Sequence, residues 1–201
     1  MSLKYSYALI APFYDAAVSR ATRSARRTSL QALPQLPGRV LINGVGTGLD
    51  LPLLPRQHHY VGLDLTAAML RRALPRCTGL EFLPVQGDAH HLPFAPASFD
   101  HAVLHLILAV VPNPNACLAE ISRVVKPGGT VLVFDKFLKP DEPALLRRLA
   151  NPLMRRIATR LDVVFEEVLG EAGKITPGLR LESNQPALAS GWFRLIRLKK
   201  I

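Results

Sequence analysis

Cysteine is scarce in this chain of 201 residues: there are two, Cys77 and Cys117. They lack the spacing of metal ligands, and so small a number excludes a disulfide-stapled scaffold, so both are expected as reduced thiols of a cytosolic protein. Long hydrophobic runs are missing as well. The longest, Ala102 to Val111, contains His105 and stops at Pro112, about half the length needed to cross a bilayer. Met1 to Tyr14 alternates polar, aromatic and apolar residues and shows no secretory pattern. Acidic residues are few, 15 against 25 basic, for a formal net charge of +10. A field of that sign suits nucleic acid, acidic lipid headgroups or phosphorylated substrates, and a solvated basic surface equally. At 49% hydrophobic and 20% charged residues, the composition is globular, and the length fits one domain, 1–201, with a substantial core. The pairs His58-His59 and His90-His91 face opposite ways in extended chain, so neither makes a metal site alone.

What the chain does have is the segment Val40-Leu41-Ile42-Asn43-Gly44-Val45-Gly46-Thr47-Gly48. An apolar run reads as a buried strand, and glycines directly after it let the backbone turn sharply and approach a bound molecule. Asp64 closes a second apolar run, Tyr60-Val61-Gly62-Leu63, about twenty residues on, where a carboxylate can accept from two ribose hydroxyls. Together these describe a pocket for an adenosine-type cofactor. The dinucleotide pattern would need its third glycine at position 49, which is Leu49. Glycines at 44, 46 and 48 fit S-adenosylmethionine better.

The rest of the chain alternates strand and helix signals. Asp15 can cap a helix to about Leu33, with Arg20, Arg23, Arg26 and Arg27 on one face and Ala17, Val18, Ala21 and Ala25 on the other. Strands are expected at 39–43, 59–64, 80–86, 99–108 and 130–134. A short glycine-led helix stopped by Pro52 and Pro55, a Thr66-capped helix through Leu74 and a helix over 114–125 separate them. Leu146, Leu149, Leu153 and Ile157 form an apolar stripe among arginines; a further helix from Val163 is expected to end at Gly170 or Gly173. Leu179–Glu182 and Trp192–Leu198 read as antiparallel edge strands. The pattern implies a parallel sheet with helices on both faces and a crevice at the carboxyl ends of its strands, where Asn43, Asp64, Asp88, His105 and Asp135 gather.

In this order, Gly44-Val45-Gly46-Thr47-Gly48, Asp64-Leu65-Thr66-Ala67-Ala68-Met69-Leu70, Gly87-Asp88-Ala89 and Lys126-Pro127-Gly128-Gly129 resemble the class I S-adenosylmethionine-dependent methyltransferases over nearly the whole chain. A finer resemblance, to small bacterial phosphatidylethanolamine N-methyltransferases and quinone-biosynthesis methyltransferases, rests on Tyr7 to Asp15, Val45 to Pro52, Val110 to Pro114 and Gly191 to Arg197. The resemblance implies a Rossmann-like three-layer sandwich, its seven-stranded sheet mostly parallel with an antiparallel C-terminal hairpin, and residues 1–33 as a helical lid. It implies that Gly44, Gly46, Thr47 and Gly48 approach the cofactor and that Asp64 holds its ribose. Leu65 and Met69 would wall the pocket, while Asp88 and the Ala89 amide meet the adenine. His105 and Leu106 fall near the methyl donor, His105 being a catalytic candidate or a satisfied core residue. Tyr14, with Tyr5 and Tyr7, lies on the lid and is the other catalytic candidate. Asn43 stands where the family has Glu or Asp, keeping an acceptor oxygen for the cofactor's ammonium but losing the charge.

The acceptor implied is a small molecule or a lipid headgroup, a phosphatidylethanolamine-like amine first. A quinone-type carbon or oxygen is the alternative. Adsorption to an anionic membrane face would use the arginine face and the Leu146–Ile157 stripe. Methylation of nucleic acid is the competing class that the charge favours, but Val111-Pro112-Asn113-Pro114-Asn115 lacks the paired prolines and aromatic that hold a flipped base. A third class is a binding protein without turnover, supported by Asn43 alone.

Overall fold

Apolar runs without polar interruption become central strands when both faces of a sheet are covered. The computed structural model, which describes residues 20–138 and 162–201, places seven strands in one sheet. They are β1 (Arg39–Asn43), β2 (His59–Asp64), β3 (Glu81–Gln86), β4 (Phe99–His105), β5 (Val125–Lys136), β6 (Leu179–Leu188) and β7 (Phe193–Lys200), in the order β3-β2-β1-β4-β5-β7-β6. β1 to β5 run parallel, and β7 is antiparallel to both β5 and β6. The described helices are α1 (residues 20–30), α2 (Ala67–Ala73), α3 (Pro114–Val124) and α4 (Phe165–Ile175). Strand order reverses between β1 and β4, and ligands of open α/β sheets bind above such a switch point.

Alternation along the strands divides the core in two. Val40, Ile42, Val103 and Leu132 pack with Leu30 of α1 and with Leu70 and Ala73 of α2. Leu41, Ala102, Leu104, Val131 and Val133 face Cys117, Leu118 and Ile121 of α3 and Phe165 and Val168 of α4. Helix, sheet and helix are therefore the three layers. Thr66 caps α2 as expected, its Oγ1 accepting from the Met69 amide.

Several boundaries differ from the sequence expectation. Between β1 and β2 only a 3-10 turn forms, at Leu51–Leu53, because Pro52 lacks the N–H that a longer helix needs. β4 ends at His105 instead of Leu108 because Leu106 turns left-handed, with φ 57°. α4 runs through Gly170 and Gly173 to Ile175. Burial of Phe165, Val168 and Ala172 outweighs the roughly 1 kcal/mol that each glycine costs a helix. β6 accommodates Pro186 beside a register shift. The expected helix start at Asp15, the residues Tyr5, Tyr7 and Tyr14, and the Leu146–Ile157 stripe lie outside the described residues.

At the amino-terminal edge of the sheet, His58 and His101 are buried with ring centroids 5.9 Å apart, and His58 meets Tyr60 at the same distance. Burial lowers the pKa of both rings, outweighing the pull of the Pro34 and Gly38 carbonyls on His58 and of Asp100 on both. The folded state therefore holds them neutral, while the unfolded chain takes up protons below about pH 6.5. Their contribution to stability is intact above that pH and declines below it. Half-buried Asp64 and buried Asp135, whose pKa values are raised, act in the opposite sense, so the test is a difference. Between pH 7.5 and 5.5 the melting temperature of the His58→Phe variant should fall less than that of the unaltered protein; parallel curves would remove the histidine pair as the cause.

Candidate active site

Three loops leave the carboxyl ends of β1, β2 and β3, and backbone bonds join them. The Gly44 and Val45 amides both donate to the Leu63 carbonyl at 2.9 Å, and the Gly87 amide donates to the Asp64 carbonyl at 3.0 Å. The Gly46 amide donates to Asp64 Oδ2 at 2.9 Å. Gly44, Gly46 and Gly48 have φ of 76°, 55° and 79°, the left-handed region that costs other residues roughly 1–2 kcal/mol. Their surroundings differ. A Cβ at Gly48 would lie 2.9 Å from the Ala73 backbone, so that position is dictated by packing on α2. A Cβ at Gly46 would meet nothing nearer than the Gly44 carbonyl at 4.0 Å. Gly46 opens onto space.

Asp64 is fixed from within the loops. Its Oδ1 accepts from the Thr66 amide at 3.0 Å and the Thr66 hydroxyl at 3.2 Å. The Gly46 amide holds Oδ2, and the Leu65 amide contributes as well. Burial raises its pKa, only partly countered by the Thr66 and Gly46 amides. Leu65 is exposed beside it, whereas Met69 is buried. Asp88 is exposed and accepts from both the His90 amide and ring at 2.9 and 2.7 Å. Its carboxyl is held below the usual range although partial burial opposes this, because the His90 contacts prevail. Ala89 next to it is buried. The Thr47 carbonyl and hydroxyl accept from Arg76 at 2.8 and 3.0 Å, which ties the glycine loop to the turn after α2.

Beneath the glycine loop lies a polar network that sequence reading missed, although Asp50 directly follows the loop. Asp50 Oδ2 bonds His105 Nδ1 at 3.0 Å, and Asp50 Oδ1 accepts from Arg26 at 3.1 Å. Arg26 Nε also donates to Thr22 Oγ1, and His105 Nε2 meets Ser29 Oγ at 2.9 Å. Burial pushes the Asp50 carboxyl up, but His105 and then Arg26 outweigh it and hold the carboxyl below its usual range. An ionised Asp50 can only accept, so Nδ1 of His105 donates to it, while Nε2 bonds the Ser29 hydroxyl. Both ring nitrogens are thus engaged. Arg26, 2% exposed, does not belong to an outward arginine face: of the four arginines expected there, Arg20, Arg23 and Arg27 are exposed. Ala21, expected on the apolar side, is exposed as well. Leu106 follows in its strained left-handed turn, its amide bonded to the Phe134 carbonyl at 2.7 Å.

A methyltransferase domain model matches residues 41–133. The demethylmenaquinone methyltransferase of Roseiflexus sp. strain RS-1 is 32% identical, the alignment covering 96% of this chain and 87% of the relative. The chain belongs to the S-adenosylmethionine-dependent methyltransferases. The phosphatidylethanolamine N-methyltransferase of Cereibacter sphaeroides is 29% identical, over 93% of this chain and 92% of its own length. A crystallised S-adenosylmethionine-dependent methyltransferase of Thermotoga maritima superimposes with TM-score 0.72 at 21% identity, covering 100% of both chains. This likeness shows the shared fold.

The residues of this methyltransferase fit its donor. Asn43 is fully buried at the end of β1; its Nδ2 donates to Cys117 Sγ at 3.4 Å, and its Oδ1 has no hydrogen-bond partner among the described residues. A buried amide oxygen without a donor is costly unless a ligand supplies one, and an ammonium would. Two consequences can be measured with S-adenosylhomocysteine. Gly48→Ala should lower the melting temperature more than Gly46→Ala, while Gly46→Ala should weaken binding more; the reverse ranking would contradict the division between packing and ligand approach. Asp64→Asn should weaken binding about tenfold or more. Affinity of the unaltered protein should decline as acid protonates Asp64, a dependence absent in Asp64→Asn.

Proposed function

We propose that this methyltransferase moves a methyl group from S-adenosylmethionine to the amine of a lipid headgroup of the phosphatidylethanolamine type. The single observation carrying this reading is the similarity to a phosphatidylethanolamine N-methyltransferase along 93% of the chain. In this reading Gly44, Gly46 and Thr47 line the donor and Gly48 sets the loop on α2. Asp64 takes the ribose hydroxyls beside the exposed Leu65, with Met69 behind it. Asp88 and the Ala89 amide meet the adenine, and the Asn43 Oδ1 receives the ammonium. Tyr14 is proposed to face the acceptor. His105, both nitrogens occupied, holds Asp50 and Ser29 in place with Leu106 at the turn, and acts as a positioning residue.

Bound donor supplies a methyl group already activated on a sulfonium. The protein's task is alignment and exclusion of water. The acceptor amine must present its lone pair, so its proton leaves before attack. The new N–C bond forms as the C–S bond breaks, and the sulfur keeps the electron pair. Asn113 caps α3, its Oδ1 accepting from the Ala116 amide at 3.1 Å. The loop after β4 thus serves a helix start, which counts against a base-stacking role in nucleic-acid methylation.

A quinone-type acceptor is the second reading, favoured by the relative at 32% identity. Labelled methyl transfer from S-adenosylmethionine to vesicles of phosphatidylethanolamine, to demethylated quinones and to RNA separates these readings. Label is expected in the phospholipid; label only in quinone or RNA would overturn the proposal. No described helix is long and apolar enough to cross a membrane, so contact with lipid is proposed through the exposed Arg20, Arg23 and Arg27. Replacing all three by Gln should reduce binding to anionic vesicles several-fold, and equal binding to neutral and anionic vesicles would refute this contact.

A further inference from the structure

We propose that Lys136 is the anion-binding residue of the acceptor site and takes the phosphate group of an amine-bearing acceptor. The inference deepens the headgroup reading above and rests on it. The donor loops occupy the ends of β1, β2 and β3, which leaves the ends of β4 and β5 for the acceptor. Lys136 is the last residue of β5 and lies opposite Phe193 of β7. Side chains alternate along a strand, so Lys136 shares a face with Phe134, whose ring is 5.7 Å from His105 and stacks on Phe193 at 5.6 Å. Trp192 meets Phe193 edge-on at 5.7 Å. An aromatic wall therefore runs from His105 across β5 and β7 and ends at an ammonium.

That ammonium is half-buried, yet it makes no hydrogen bond or ion pair with any described residue. Buried lysines without a partner are rare because desolvating the charge is costly. Other buried or half-buried cations at this end of the sheet are committed: Arg26 to Asp50, Arg76 to Thr47, Arg194 to Glu166. Asp135 adjoins Lys136 in sequence but faces the other side of the sheet. There its Oδ2 accepts from the Ala109 amide at 3.0 Å, and its Oδ1 accepts from the Lys136 amide at 2.8 Å. Burial lowers the pKa of the Lys136 ammonium despite the attraction of Asp135. An arriving phosphate reverses that penalty. Lysine binds phosphate as a compact point charge, and the half-buried rings of Trp192 and Phe193 offer apolar surface to the remainder of the molecule.

The test uses protein saturated with S-adenosylhomocysteine and titrates it with sn-glycero-3-phosphoethanolamine, with ethanolamine as the phosphate-free control. Lys136→Met should weaken glycerophosphoethanolamine binding about tenfold or more, with Lys136→Arg recovering most of it. Ethanolamine binding, S-adenosylhomocysteine affinity and melting temperature should be unchanged, which separates lost recognition from lost folding. Equal affinity in Lys136→Met, or no binding by the unaltered protein, overturns the anion site. Turnover on phosphatidylethanolamine vesicles and on free phosphoethanolamine, measured in parallel, assigns the phosphate to lipid or to a soluble acceptor. Binding that depends on Lys136 without methylation of either would leave the anion site standing and overturn the headgroup reading alone.

Discussion

The hydrogen bond from the Gly46 amide to the Asp64 carboxylate is the constraint on which the site depends. It joins the loop after β1 to the loop after β2, so neither can settle without the other. A side chain at position 46 would have to adopt φ near 55° and would project into the space that the loop leaves open. The same carboxylate holds Thr66, the cap of α2. One acidic side chain thereby sets both the glycine turn and the start of a helix at the crest. These bonds lie within the protein itself, and a loop held in place by them lowers the ordering cost of binding.

A second set of polar groups fastens the first described helix to this frame. Arg26 and His105 converge on Asp50, and Ser29 completes the link from α1 to β4. Buried charge is tolerated only where it is paired and hydrogen-bonded, and here each member answers another. Removing one would leave its partner desolvated and unanswered, a larger penalty than the bond itself is worth. Such a network favours a single arrangement of helix, glycine loop and strand end, which is what in-line transfer of a methyl group demands. The left-handed Leu106 directly after His105 is a further sign that local comfort yields to site geometry here.

The two halves of the crest differ in character. Above β1 to β3 the chain offers backbone amides, small residues and carboxylates, a surface suited to a nucleoside with an amino-acid tail. Above β4, β5 and β7 it offers aromatic rings and a lysine. In the proposed reading, a donor site of polar backbone and an acceptor site of apolar rings and charge need little chemistry of their own when the methyl group comes activated.

Much of this was legible in residue order. The strand at Arg39–Asn43, the cap at Thr66, the helix from Pro114 and the antiparallel last strands follow from local rules of periodicity, capping and turn chemistry that act within a few residues. The meeting of the glycine loop with Asp64 was legible as well, because one strand–turn–strand unit brings them together. The end of β4, the passage of α4 through two glycines and the burial of Arg26 were not legible, since each is settled by what packs against it. Arg26, Asp50 and His105 are 24 and 55 residues apart; no local signal couples them. Sequence alone determined most of the elements, their order and the glycine-rich loops between them, because those are short-range consequences of backbone sterics and hydrophobic period. Tertiary structure alone decided which charges are buried in pairs and which cation has no partner among the described residues, because the cost of desolvation depends on neighbours that only folding assembles.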